Sequence, residues 1–271
     1  MNIKCYPLLC LVFGLLGTSL SHSSAADSAL NYYFEDNNDP SVPTNSGNAP
    51  FALHYLGDTQ QTTTQAKFGK GSMLIGEKKG DVIFINHGSG FASQPSEFND
   101  AIEKMTITAW VRPVNPSDGG QNSFYPGFLI LARSGGENAW GVGHFMFGFA
   151  YNKLELRYYS DGGLKQVFQS PLIKRRFESE EWTHLAVTFD QGKMVFYVNG
   201  LPIGDADGAP MKATNISEMP GKSVLVGFTA SHAGDCIDDF GFLVGRALSE
   251  SDIEKVYDKG LQEFVKSSPS K

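Results

Sequence analysis

Two pairs of adjacent acidic residues are the side chains in this sequence best suited to hold a metal ion. Glu35-Asp36 follows a short apolar segment near the start of the chain, and Asp238-Asp239 lies in an apolar run near its end. Calcium binds six to eight oxygen atoms from carboxylates, amide side chains and backbone carbonyls. Carboxylates buried side by side repel each other unless a cation lies between them. These residue types suit a calcium site, but their spacing alone does not bring the pairs together, and two solvated acidic turns are the alternative.

Sugar recognition is a second chemistry that the sequence allows. It requires aromatic faces for the C–H surfaces of a sugar and polar side chains for its hydroxyl groups. Aromatic residues in sandwiches also fill cores, so each candidate has a structural alternative. The candidate ligand-binding residues are Tyr125 and Trp140 in predicted loops, His144 in a glycine- and phenylalanine-rich strand, and Arg157 with Tyr159 on one face of a strand.

Catalytic chemistry has less support in the sequence. Carboxylates that act together on one strand must alternate along it, and the segment Glu97–Glu103 has the wrong spacing. His87 lies near Ser89 without the Gly-x-Ser-x-Gly turn of a serine nucleophile. The remaining histidines are scattered singly, without the spacing of zinc ligands. We therefore assign no catalytic residue and expect a protein that is not an enzyme, with a polysaccharide-active enzyme as the alternative.

Short alternating segments must position these candidates. Residues 182–189 alternate between two unlike faces, a tight turn follows at 190–192, and residues 193–200 form a second strand ending in Asn-Gly. Many similar runs and 30 glycines predict an all-β fold, a two-sheet antiparallel β-sandwich of about twelve to fourteen strands. Ser249 and Asp252 predict the start of one short C-terminal helix, which Gly260 ends or loosens.

The first 26 residues have the pattern of a secretory signal peptide. Lys4 precedes an apolar run that ends near Leu20, and small residues follow up to Ala25 and Ala26. The sequence thus predicts cleavage near Ala25 or Ala26 and a secreted protein, extracellular or periplasmic, with no membrane insertion after cleavage. We expect one domain over residues 27–265 and a disordered tail over 266–271.

The net charge indicates the class of partner, and the cysteine content indicates whether a disulfide stabilises the chain. Without residues 1–26 the chain has 21 Lys and Arg against 29 Asp and Glu, a net charge of −8. We expect an acidic protein without a Lys/Arg cluster, and such a protein is not expected to bind nucleic acid. Cys236 is the single cysteine after cleavage, so no internal disulfide forms. We expect it to be a buried small side chain rather than a nucleophile.

Five segments, in order, resemble the laminin-G-like jelly rolls of the concanavalin A-like lectin/glucanase superfamily. The hairpin that begins Trp182-Thr-His-Leu-Ala-Val-Thr is one of them. The others are Tyr33-Phe-Glu-Asp36 with Asn45-Ser-Gly-Asn48, Ala66-Lys-Phe-Gly69, Met105-Thr-Ile-Thr-Ala-Trp-Val-Arg-Pro113, and Cys236-Ile-Asp-Asp239 followed by Arg246-Ala-Leu-Ser249. The resemblance covers nearly the whole chain after residue 26 and implies a jelly roll.

The resemblance also implies a position for the metal. In family members calcium commonly lies where the opening strand and its loop meet the last strand. Carried over by position, a structural calcium ion would be bound by Glu35 or Asp36 with the Asp238-Asp239 pair, and by carbonyls of Asn45 to Gly47. The glucanases of the superfamily use a Glu-x-Asp-x-x-Glu strand, which this chain lacks. The expected function is a secreted, non-catalytic module that binds a glycan or an extracellular protein.

Overall fold

Seventeen strands and two helices form in the part of the chain that the computed structural model describes. The described residues are 30–32, 52–54, 60–76, 83–86, 101–114, 127–130, 144–150, 152–160, 163–173, 178–207, 211–212, 223–226 and 234–268. The strands are β1 (Leu30–Tyr32), β2 (Ala52–His54), β3 (Gln60–Thr62), β4 (Ser72–Leu74), β5 (Ile83–Asn86), β6 (Ala101–Ile102), β7 (Lys104–Arg112), β8 (Gly127–Ile130), β9 (His144–Ala150), β10 (Lys153–Ser160), β11 (Gly163–Gln169), β12 (Thr183–Asp190), β13 (Lys193–Val198), β14 (Leu201–Asp207), β15 (Met211–Lys212), β16 (Ser223–Val226) and β17 (Cys236–Val244). The helices are α1 (Glu250–Lys259) and α2 (Leu261–Ser267).

The strands pair antiparallel into two main sheets, as predicted. The eight-stranded sheet runs β14-β13-β12-β7-β17-β4-β3, with β1 also paired to β17. The four-stranded sheet runs β11-β10-β9-β8, and two small sheets, β15-β6 and β16-β5-β2, complete the set within the described ranges. The strand count exceeds the predicted twelve to fourteen because several strands are pairings of only two or three residues.

The two main sheets pack face to face through the alternating apolar residues of their strands. Ile107, Val187 and Phe196 of the eight-stranded sheet share one buried cluster with Phe147 and Leu156 of the four-stranded sheet. The predicted hairpin is confirmed, because Leu185 to Asp190 of β12 pair with Val198 to Lys193 of β13. Its alternation places Leu185, Val187 and Phe189 in the core.

The C-terminal helices cover the other face of the eight-stranded sheet. Ser249 caps α1, accepting a hydrogen bond from the Asp252 N–H at 3.2 Å, which confirms the predicted start. Gly260 ends α1 at a φ of 84°, a conformation that glycine adopts without steric cost, and α2 follows directly. The structure therefore has two short helices where we predicted one, and α2 continues to Ser267, two residues into the predicted tail.

Both helices bury apolar residues against the sheet. Ile253 and Val256 of α1 and Leu261 and Phe264 of α2 share a buried cluster with residues of β12, β13 and β17. Within the described ranges, neither helix has the length and apolar character that a membrane span requires.

Candidate functional site

The Asp238-Asp239 pair lies in a gap along one edge of β17. On that edge β4 pairs with Cys236 and Ile237, whereas β1 pairs with Phe240 to Phe242. On the opposite edge the register with β7 shifts between Asp238 and Gly241, and Asp239 has a φ of 50°. A bulge of this kind bends a strand and redirects its side chains. Neither aspartate pairs with β4 or β1 on the first edge, and both side chains are buried.

The Asp238 side chain connects the backbone of Lys67 and Phe68 to β17 through hydrogen bonds. Its Oδ2 accepts the N–H groups of Lys67 at 2.8 Å and Phe68 at 3.0 Å, and its Oδ1 accepts the N–H of Asp239 at 2.8 Å. Burial raises the pKa of the Asp238 carboxyl to about 8; the Phe68 N–H opposes this rise and the Asp239 charge adds to it. This carboxyl is thus held by three backbone donors in a poorly solvated place.

Asp239 holds the start of α2. Its Oδ2 accepts a hydrogen bond from the N–H of Leu261, the first residue of that helix. Beside it lies a cavity of about 220 Å³, which the two aspartates line together with Phe68, Gly69, Lys259, Gly260, Gln262 and Glu263. The pair therefore ties a loop and a helix to the sheet and also borders a small cavity.

The described residues supply only part of a calcium coordination shell. A carboxylate has about four acceptor positions, and backbone N–H groups occupy three on Asp238, so this side chain fits an anchor better than a metal ligand. No group of three or more His, Cys, Asp or Glu side chains suited to a metal occurs in the described ranges. The other predicted ligands, Glu35, Asp36, Asn45 and Gly47, lie outside them, so calcium stays a prediction.

An aromatic cluster beside this pair fixes His184. The His184 side chain is fully buried, its Nε2 lies 2.7 Å from the Thr108 hydroxyl, and its ring is 5.3 Å from that of Trp110. Tyr257 of α1 stacks on Trp110 at 5.2 Å, and the Lys67 ammonium lies 4.0 Å from the centre of the Trp110 ring. Burial, with a smaller effect of the Lys67 charge, lowers the pKa of His184 to about 3. His184 is therefore a packed residue of the sheet.

The face of the four-stranded sheet that points away from the core carries a polar row. Leu154, Leu156 and Phe168 point into the core, so the intervening positions of β10 and β11 lie on the opposite face. Glu155 pairs with Gln169 across the two strands, and Arg157 pairs with Val167. Val167 is 42% exposed, which confirms that this face meets solvent.

Four side chains of this face form a continuous series of polar contacts, which we call the Glu155 row. The Lys153 ammonium donates to Gln169 Oε1 at 3.2 Å, and Gln169 Nε2 donates to Glu155 Oε1. The Arg157 Nε and Nη2 groups donate to Glu155 Oε2 at 3.0 and 2.9 Å. The Glu155 side chain is fully buried, whereas 20% of Arg157 is exposed. In the Glu155 row the acidic group is therefore buried, whereas the basic side chains are partly exposed to solvent.

The predicted sugar-binding residues fall partly on this face. Arg157 belongs to the Glu155 row, and Tyr159, two residues further along β10, pairs with His144 of β9. The backbone thus brings three of the five predicted residues to adjacent strands, while Tyr125 and Trp140 lie outside the described residues.

Sequence reasoning missed Lys153, Glu155 and Gln169. The first two could have been found, because charged residues at alternate positions of an otherwise apolar strand indicate a polar face. Gln169 joins this row only through the register between β10 and β11, which no local pattern in the sequence indicates.

Comparison with known proteins assigns the family. The chain has two antiparallel sheets packed as a sandwich, with a polar outer face on the smaller one. The family model of the laminin G type within the concanavalin A-like lectin/glucanases superfamily matches residues 86–254, more than half of the chain. The protein therefore belongs to that superfamily. No curated protein matches the sequence.

Solved structures share the fold at low sequence identity. Domain 4 of AbnA, an extracellular arabinanase from Geobacillus stearothermophilus solved with arabinotriose, is 16% identical, with a TM-score of 0.54 over 84% of this chain and 96% of that one. The botulinum neurotoxin type C structure, described as requiring two ganglioside molecules for cell entry, is 16% identical, with a TM-score of 0.53 over 86% of this chain and 51% of that one. The binding domain of botulinum neurotoxin DC, in complex with rat synaptotagmin II, is 16% identical, with a TM-score of 0.54 over 87% of this chain and 52% of that one.

Proposed function

We propose that this protein is a secreted, non-catalytic module that binds carbohydrate through the outer face of its four-stranded sheet. The observation that carries this proposal is the Glu155 row, in which buried Glu155 fixes Arg157 through two donors on one acceptor oxygen. A guanidinium held in this way loses little rotational freedom when it binds a ligand. Polar groups in fixed positions are what sugar hydroxyls require, and the backbone brings the aromatic candidates Tyr159 and His144 to paired positions of β10 and β9.

The charged groups of this face suit binding better than hydrolysis. Glycoside hydrolysis by the usual route uses two carboxyl groups that flank the scissile bond. Strands β8 to β11 contain one acidic residue, Glu155, and both of its oxygens accept hydrogen bonds. The related domain solved with arabinotriose supports a sugar ligand, whereas the one solved with synaptotagmin supports an extracellular protein partner as the second candidate.

We also propose that the protein is exported through cleavage of its first 26 residues and carries a structural calcium ion. Support for the ion comes from the register of β1, in which Tyr32 pairs with Phe240, one residue from Asp239. Glu35 and Asp36 follow three and four residues later in the sequence. A cation would offset the repulsion between the two buried aspartates.

A glycan array tests the binding proposal. We expect the purified protein to bind a defined set of glycans, and Arg157→Lys to weaken binding about tenfold, because lysine keeps the charge facing Glu155 but loses the fork of two donors. The matched control is Lys193→Arg on β13, an exposed residue of the other sheet, which should bind like the wild type.

Two measurements in the presence of a chelator, the glycan array and thermal denaturation, test the calcium proposal separately. A lower melting temperature in chelator, with glycan binding retained, is the result expected of a structural ion. An unchanged melting temperature would contradict the calcium proposal. Absence of glycan binding in both conditions, together with capture of an extracellular protein, would favour the second candidate.

A further inference from the structure

The four-stranded sheet is basic although the whole protein is acidic. Its strands contain Lys153, Arg157 and Lys165 against the single acidic residue Glu155, whereas the full chain has a net charge of −7. At the edge of the other sheet, β14 carries two aspartates and no basic residue. Positive charge is therefore concentrated on the sheet that we propose as the binding surface.

Burial within the Glu155 row favours an anionic ligand. Glu155 is fully buried and both of its oxygens are engaged by Gln169 and Arg157, so a ligand does not reach the carboxylate. Lys153 is half-buried and Arg157 is partly exposed. Arg157 lies four positions after Lys153 along β10, roughly 13 Å at the rise of an extended strand. Ligands approaching this face thus meet two cations and no accessible anion of the row.

The basic character continues in the sequence after β11. The Ile173 N–H donates to the Asn152 carbonyl at 2.7 Å, so the chain passes beside the tip of the β9–β10 hairpin, next to Lys153. The three residues that follow are Lys174-Arg175-Arg176, whose placement lies outside the described residues. This run corrects the expectation that the chain has no Lys/Arg cluster.

We propose that the outer face of the four-stranded sheet selects glycans that carry carboxylate groups. This inference rests on the proposed function, because it specifies the ligand class of the same surface. A sugar carboxylate forms charge-assisted hydrogen bonds with ammonium and guanidinium groups, which are stronger than those of a neutral hydroxyl. Uronic acid polymers and terminal sialic acids share this chemistry, and two cations far apart on one strand favour a chain with several carboxylates.

Pairs of glycans that differ only in charge provide the test. The purified protein is titrated with trigalacturonic acid and with its fully methyl-esterified form, and likewise with sialyllactose and with its methyl ester. We expect each acid to bind at least about tenfold more tightly than its neutral counterpart. This difference in affinity should shrink as salt is added. Tighter binding of trigalacturonic acid than of sialyllactose would identify the polymer as the source of the carboxylates.

Two substitutions connect the result to this face. Lys153→Gln should weaken binding of the acid about threefold or more, whereas Lys193→Gln, the same change on the other sheet, should leave it unaltered. Equal affinity for the acidic and neutral members of each pair would overturn this inference and leave the proposed function intact. Absence of binding to all four glycans and to the array would overturn both.

Discussion

The buried His184 ring makes a quantitative prediction about acid stability. Its pKa in the folded protein is about 3, against about 6.5 in an unfolded chain. Between these values the unfolded state binds a proton that the folded state does not, so the contribution of His184 to stability is complete above about pH 6.5 and falls as the pH is lowered. At about pH 5 the loss is about 2 kcal/mol, from one and a half pKa units at about 1.4 kcal/mol each.

Asp238 has the opposite effect on the pH dependence. In the metal-free protein its folded pKa of about 8 lies above the unfolded value near 3.9, so the folded state holds a proton that the unfolded state lacks between these limits. Its contribution to stability is complete below about pH 4 and is lost as the pH rises towards 8. In the wild type, the effects of His184 and Asp238 on the free energy of unfolding oppose each other between about pH 4 and 6.5. The pH dependence of wild-type stability alone therefore does not reveal the contribution of His184.

The assay therefore compares wild type with His184→Gln by chemical denaturation at about pH 7.5 and pH 5. Glutamine does not titrate and keeps a polar group for the Thr108 hydroxyl. We expect the stability advantage of the wild type over the variant to shrink by about 2 kcal/mol at the lower pH. The control is Lys193→Gln, whose difference from wild type should not change. An advantage that is the same at both pH values would refute the inference that His184 is held neutral by burial.

Three further predictions concern packing. Gly204→Ala should lower the free energy of unfolding by about 1–3 kcal/mol, because its new Cβ would lie 2.0 Å from Pro171 Cδ; unchanged denaturation would contradict this close packing. Phe264→Ala should lower it by about 3 kcal/mol, since this side chain is buried between α2 and the sheet, and a loss below about 1 kcal/mol would mean that α2 is not firmly docked. Cys236, whose buried thiol has its pKa raised to about 11, should react with a thiol reagent only after denaturation; prompt modification of the native protein would disprove its burial.

Local patterns in the sequence predicted the elements of the fold. The β12–β13 hairpin follows from period-two alternation and a tight turn, and the start of α1 follows from the cap at Ser249. These signals depend on residues close together in the chain. The division at Gly260 was harder to predict, because a glycine near a helix end can either terminate the helix or begin a new one.

Contacts between residues that are distant in the chain could not be predicted from the sequence. Asp238 binds the backbone of Lys67 and Phe68 across about 170 residues, and nothing in its neighbours indicates these partners. The register of β10 with β11 was equally hidden, because a bulge shifts it between Tyr158 and Tyr159. The anchoring role of Asp238 therefore could not be predicted from the sequence, while its role as a metal ligand stays a prediction.

Hydrogen exchange with and without the glycan that binds most strongly tests the central claim most directly. If the outer face of the four-stranded sheet is the binding surface, the ligand should slow exchange of the backbone amides of β10 and β11 and leave those of β13 and β14 unchanged. Protection confined to β13, β14 or the C-terminal helices, with none in β10 or β11, would contradict the account and move the site to the other sheet.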